Sequence, residues 1–368
     1  MIHFAVPAAQ AAAMKDYLAV QGKSLCEEFR ALPYEDLAQQ LEFARGTYVL
    51  AALDQLSPAM ARLLFEIYKE LKEIEGFRFL NDPSQSLQRL ELLTELHNRG
   101  LNDFRAVRAN SDLKDITFPV FLREERQHHG AISPLLNSVG EIHQAVGRAL
   151  VEGHELRNLL IVEFCDTADE MGFYRKYAAF AVGKRVIPRS LNYGRHWMLK
   201  HSETEFTVPM VLEELDYVSK NPHQQQLLEI FELARVEYGR IDYAMKDGKL
   251  QTWEINLHPT IGRGLRPRSK NVPADVDAIR DEVRRIFYDG FESAWREVNL
   301  STNGQPPVEL RLSPQLIREA IAPVAHQQRL LNGIKTVLRP AKPLIEPLSP
   351  PFLSAAGWLA RMFSGGQR

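Results

Sequence analysis

The chain has 368 residues, 45% of them hydrophobic, 25% charged and 9% aromatic, with a formal net charge of −2. That length allows two or three lobes with cores of their own. The near-neutral charge gives no electrostatic reason to expect a nucleic-acid partner, since duplex binders carry a basic excess. Two cysteines, Cys26 and Cys165, rule out a disulfide framework or a four-cysteine zinc site and suit a reducing cytoplasm. The start, Met1 to Pro7, has no basic segment followed by a long apolar stretch, and no run of about 18 apolar residues occurs anywhere. The expectation is a soluble, cytoplasmic protein.

In chain order, apolar runs at 2–6, 47–52 and 77–80 read as strands, separated by helical patterns such as 58–73, where Met60, Leu63, Leu64, Ile67 and Leu71 recur at helical spacing. Strands alternating with helices predict a small parallel sheet, closed by Asn81-Asp82-Pro83. A helix over 84–99 stops at Gly100, strands follow at 104–108 and 118–123, and a polar loop runs from Glu124 to Gly130 with His128 and His129 at its tip. A helix at 138–150 leads to an apolar strand, Leu159–Phe164. Two hairpins, 174–192 turning at Gly183-Lys184 and 239–256 turning at Asp247-Gly248, flank a helix at 223–235. A long amphipathic helix covers 274–297, with Val276, Ile279, Val283, Ile286, Phe287, Phe291 and Trp295 along one stripe. The last 68 residues hold nine of the 21 prolines and eight Lys/Arg against three Asp/Glu, with helices expected at 314–332 and 352–363. These elements make an α+β protein organised as 1–82, 83–162, 163–300 and a proline-rich extension 301–368.

The chemistry concentrates in the second hairpin. Glu254 and Asn256 are two apart and share a strand face. A two-residue Asp247-Gly248 turn would pair 242 with 253 and turn Asp242 away from them. A three-residue loop, Lys246-Asp247-Gly248, would pair 242 with 252 and bring all three oxygens to one face, and this is the expected geometry. Two carboxylates and an amide oxygen suit Mg²⁺. Spacing alone favours a solvated edge hairpin whose charges face water.

Asp242 followed by Glu254-Ile-Asn256 and Pro259 resembles the magnesium-binding hairpin of the ATP-grasp superfamily, and other pieces fall in that family's order. Asn81-Asp82-Pro83 resembles the junction after its pre-ATP-grasp lobe, Phe118–Arg123 its phosphate-binding strand, and Leu160–Phe164 its adenine hinge. Together they span roughly residues 77–260. The resemblance implies an ATP-grasp fold, two α+β lobes clamping ATP behind a small α/β lobe, with Asp242, Glu254 and Asn256 holding Mg²⁺ or Mn²⁺. It further implies phosphate neutralisation by Arg89, Arg123, Arg175 and Lys176, with Lys200 a weaker candidate, backbone contacts to adenine from Val162, Glu163 and Phe164, and ribose contact by Glu170 in preference to Asp169. Of these, Arg123, Arg175 and Lys200 would act in catalysis. Arg123 stands where the family often has Lys, and the loop 124–130 carries one glycine where the family is glycine-rich. His128 or His129 would touch the γ-phosphate or acceptor if that loop closes. Arg263 and Arg266, just past the hairpin, are candidates to hold an anionic substrate.

The activity implied is ATP-dependent ligation. A small-molecule or peptide carboxylate becomes an acyl phosphate, which an amine or thiol attacks. A kinase and a nucleotide-binding module without turnover are the alternatives. Residues 351–363 form an apolar tail whose expected role is packing on the protein or a partner subunit rather than on a membrane. The oligomeric state stays open, a homodimer being one option.

Overall fold

The computed structural model describes residues 1–128, 130–199, 206–262, 273–302 and 304–322. The expected helix at 352–363 lies outside these residues. The fold is α+β, built on three larger sheets. The first is wholly parallel, with strands β1 (Ile2–Val6), β2 (Phe29–Pro33), β4 (Gly46–Leu50) and β5 (Phe77–Leu80) in the order β2-β1-β4-β5. β1 is apolar except for His3 because both of its faces are covered. Ile2, Phe4 and Val6 join one core cluster, and Ala5 joins another. Helix α1 (Ala12–Val20) and the short α2 (Tyr34–Leu37) complete the connections around β2.

Helix α3 (Pro58–Leu71) starts where expected. Ser57 caps it, accepting from Met60 N at 3.2 Å, and Pro58 fills the first turn, where no amide donor is needed. All five residues of the predicted stripe are buried. β4 ends two residues earlier than the apolar run does, because Ala52 takes a left-handed φ of 57° and starts the short 3₁₀ turn Leu53–Gln55. A two-residue strand β3 (Glu42–Phe43) pairs with β13 (Val308–Glu309), and residues 314–322 are helical. Ala320 is buried in the core shared with α3, so the front of the proline-rich extension returns to the first lobe.

Helix α4 (Arg89–Asn98) starts five residues later than predicted. Asp82 Oδ1 accepts from Ser84 N at 2.7 Å and holds a turn, and Gln88 with Glu91 forms a reciprocal cap. The second sheet is antiparallel, with β8 (Leu159–Glu163) between β6 (Ala106–Arg108) and β7 (Val120–Glu124). Helix α5 (Val139–Val151) covers one face through Ile142, Ala145 and Ala149, and Leu93 of α4 lies on the other.

The third sheet runs β10-β9-β11-β12, with β9 (Tyr174–Val182), β10 (Arg185–Gly194), β11 (Tyr238–Lys246) and β12 (Lys249–Asn256), all antiparallel. Helices α6 (Val208–Lys220) and α7 (Gln224–Ala234) pack on one face, and α8 (Ala274–Val298) on the other. The apolar stripe of α8 is shared with the first lobe: Trp295 meets Phe4 at 6.4 Å and Phe291 meets Phe180 at 5.2 Å between ring centres. Asn81, at a left-handed φ of 71°, fastens the same two lobes. Its Nδ2 donates to Leu50 O and Tyr238 O, and its Oδ1 accepts from Glu237 N and Tyr238 N. Among the described residues no helix is long and apolar enough to cross a membrane.

Candidate functional site

The hairpin β11–β12 turns by two residues, not three. Lys246 pairs with Lys249, and Asp247 and Gly248 both take positive φ, 50° and 78°, the geometry an Asp-Gly turn favours. The expected three-residue loop is therefore wrong. Asp242 nevertheless faces Glu254, because the register shifts by one residue between Tyr243↔Thr252 and Asp242↔Glu254. Trp253 is the extra residue of this β-bulge, and its ring stacks near Phe104 at 6.3 Å in the core under α4. Arg240 lies opposite Asn256, so Arg240, Asp242, Glu254 and Asn256 share one face.

Each carboxylate on that face is held by cations. Arg240 grips Asp242 with two bonds, Nε to Oδ1 at 2.8 Å and Nη2 to Oδ2 at 3.2 Å, and Lys176 Nζ lies 3.6 Å from Oδ2. Glu254 Oε2 accepts from Arg89 Nη2 and, at 2.9 Å, from Arg123 Nη2. His128 Nδ1 stands 3.7 Å from the same oxygen, and its Nε2 lies 3.3 Å from Asp54 Oδ2 in the 3₁₀ turn after β4. Asn256 Oδ1 accepts from His258 N at 2.8 Å.

The electrostatics follow from burial. Burial alone would raise the Glu254 pKa, but Arg89, His128 and Arg123 hold it well below the usual carboxylate range. Burial and the neighbouring Arg89 pull Arg123 down to about 10 despite Glu254. Burial would also lower His128, yet its bonds to Asp54 and Glu254 outweigh this and raise it to about 9. Five cationic groups (Arg89, Arg123, His128, Lys176, Arg240) thus meet three carboxylates (Asp54, Asp242, Glu254), leaving an excess of positive charge.

Arg89 does more than face an anion. Its Nη1 donates to the carbonyls of Glu124, Glu125 and Gln127, moulding the loop after β7, whose one glycine is Gly130. The loop's own acids point away from the site. Glu125 pairs with Arg108, and Glu124 lies 3.1 Å from His154 Nδ1.

Several expected site residues sit elsewhere. Arg175 projects from the opposite face of β9, where Asp169 and Glu213 neutralise it and its guanidinium lies 5.3 Å from the Tyr193 ring centre. It is not part of the charged cluster. Asp169 organises its own turn, accepting from Met171 N and Phe173 N as well as Arg175, whereas Glu170 is exposed. The Glu163 carboxylate is buried and accepts from Arg105 Nε, Arg105 N and Thr117 N. Glu163 N–H and Phe164 N–H are already bonded to Arg105 O and Pro119 O, and Val162 lies within the β8 ladder, so these three do not offer the free donors expected of a hinge. Lys200, His129, Arg263 and Arg266 lie outside the described residues.

Two site residues escaped the sequence reading. Arg240 precedes Asp242 by two, which on any strand places it on the same face. Asp54 could be found only once β1 and β4 were known to run parallel as neighbours in the sheet. The chain leaves β1 towards β2 on one side and returns to β4 on the other, so their carboxyl ends mark the switch point of the sheet.

No protein-family model and no curated protein matches the chain. Solved structures do. A D-alanine–D-alanine ligase from Bacillus anthracis is 12% identical with a TM-score of 0.44, covering 80% of this chain and 97% of that one. The D-alanine–D-alanine ligase from Coxiella burnetii is 11% identical at a TM-score of 0.39, covering 80% and 97%. An L-amino acid ligase from Bacillus licheniformis is 10% identical at 0.36, covering 70% and 66%.

Proposed function

We propose that the chain is an ATP-grasp enzyme that uses Mg-ATP to activate a substrate carboxylate for attack by an amine or thiol. The observation that carries this reading is Asp242 set directly opposite Glu254, with Asn256 on the same sheet face, beneath cations delivered by a second lobe. Three hard oxygen donors fit Mg²⁺, which accepts a few protein ligands and completes its shell with water and phosphate. Mn²⁺ suits the same donors. The positive excess around them fits a polyphosphate, whose transfer depends mainly on positioning and charge neutralisation.

In this reading Mg-ATP supplies the phosphoryl group. The substrate carboxylate oxygen bonds to the γ-phosphorus as the bond to ADP breaks. The amine or thiol then bonds to the acyl carbon, loses its proton, and displaces phosphate. Arg123, Arg89 and Lys176 neutralise phosphate oxygens, and Arg123, buried and forked, can do so bidentately. Arg240 holds the Asp242 carboxylate, which would be a ligand of the metal. His128 and the loop moulded by Arg89 close over the centre and exclude water. Cys165 and Asp166, the first residues past the ladder bonds of β8, take the place at the adenine edge intended for Val162, Glu163 and Phe164. Glu170 is free to reach a ribose, and Arg263 and Arg266 remain candidates for an anionic substrate.

The purified chain should release ADP only when Mg-ATP, a carboxylate and an amine or thiol are all present. ADP release with a single hydroxyl substrate would make it a kinase. Nucleotide binding with no release under any pairing would leave a binding module. The partners on this reading are small molecules or peptides, not nucleic acid or membrane, and the compartment is the cytoplasm.

A further inference from the structure

Arg89 and Arg123 share a single carboxylate oxygen, Glu254 Oε2. Both guanidinium groups are buried, and the Nε of each is a buried donor without a partner. Two buried cations on one anion are a frustrated set, because each lowers the attraction available to the other. The oxygen they share belongs to the residue that would also bind the divalent cation. Asp242 is in the same position, gripped by Nε and Nη2 of Arg240 and approached by Lys176.

Resting on the reading above, we infer that Arg89 and Arg123 gate the metal carboxylates, so that the site accepts a divalent cation only together with a polyphosphate. A free cation must displace two arginines from Glu254 and then sit beside their uncompensated charges. A polyphosphate reverses this. Its oxygens draw Arg89 and Arg123 off Glu254 and satisfy their idle donors, and the freed carboxylate meets the metal. Arg89 carries the effect to the loop, since Nη1 stays on the carbonyls of Glu124, Glu125 and Gln127 while Nη2 changes partner. The two arginines act as specificity-determining residues, selecting the metal–nucleotide complex over the metal alone. By linkage the coupling is reciprocal, and a strong case amounts to about a 5- to 150-fold change in affinity.

The test is a titration of the full chain with Mn²⁺, followed by electron paramagnetic resonance of the free ion, with and without ADP. Wild type should hold Mn²⁺ weakly alone and at least about tenfold more tightly with ADP. Arg123→Ala removes a phosphate ligand, yet it should bind Mn²⁺ alone at least about fivefold more tightly than wild type. The gain should disappear when Glu254→Gln is added. Arg123→Met, which keeps the apolar stem, gives the same comparison should the alanine variant fail to fold. Mn²⁺ binding alone that is unchanged or weaker in both Arg123 variants overturns the inference while leaving the nucleotide site standing. Failure of wild type to bind Mn²⁺ with ADP at all defeats the functional reading itself.

Discussion

Both faces of the third sheet carry polar groups and use them in opposite ways. On the face under α6 and α7, Tyr177 stacks on Tyr243 at 5.2 Å, Tyr243 OH donates to Tyr217 OH at 3.1 Å, and Tyr217 OH donates to Ala178 O at 3.0 Å. Arg175 at its edge is matched by two carboxylates. On the other face Lys176, Arg240, Asp242 and Glu254 meet Arg89, Arg123 and His128 with positive charge left over and buried donors unpaired. Adjacent residues of one strand, Arg175 and Lys176, fall on opposite sides of this divide because strand side chains alternate. The face under α6 and α7 leaves two buried hydroxyls unpaired, Tyr193 Oη and Thr252 Oγ1, but its charges are matched. The charge excess on the other face has the incompleteness of a site that a ligand completes.

The contrast can be broken at several strengths. Tyr243→Ala empties the middle of the charge-balanced face and should cost roughly 3–5 kcal/mol, measured by urea unfolding, as for other large aromatic truncations. Next is a buried group belonging to neither face. His3 in β1 is 2% exposed, and burial followed by the charge of Arg30 lowers it to about 4. A base with a depressed folded pKa takes up a proton on unfolding, so stability is full above about pH 6.5 and falls as pH drops towards 4. The loss should approach about 3 kcal/mol, and His3→Gln should flatten the profile by that amount. The smallest effect belongs to Arg175→Ala, whose half-exposed pairs are worth about 1 kcal/mol or less. Its affinity for Mg-ADP by calorimetry should stay within about twofold of wild type. A large loss of affinity would return Arg175 to the site and erase the distinction between the faces.

Much of this arrangement was legible because periodicity is local. The stripe of α3, the run of β1 and the turn signals at Gly183-Lys184 and Asp247-Gly248 each depend on a few neighbouring residues. The candidate metal-binding trio Asp242, Glu254 and Asn256 was also visible, but the reason it shares a face was not. A β-bulge at Trp253 is chosen by packing against Phe104, a residue about 150 positions away, and no spacing rule reports that. Side-chain partners were the least legible. The pairing of Arg175 with Glu213 and the loop carbonyls taken by Arg89 follow from how helices pack beside their own sheets, and the approach of Asp54 to His128 from how lobes meet. Which backbone groups a hinge leaves free was illegible for a similar reason: a central strand uses its amides on both sides, and those of Glu163 and Phe164 are taken.

The measurement that bears most directly on the central claim is thermal unfolding with and without Mg-ATP, on wild type and on Glu254→Gln. At 100 times its dissociation constant a ligand should stabilise the fold by about 2.7 kcal/mol, several degrees in Tm. The account predicts a magnesium-dependent rise in wild type that the variant loses. No rise in wild type at millimolar Mg-ATP, or an equal rise in Glu254→Gln, would contradict it.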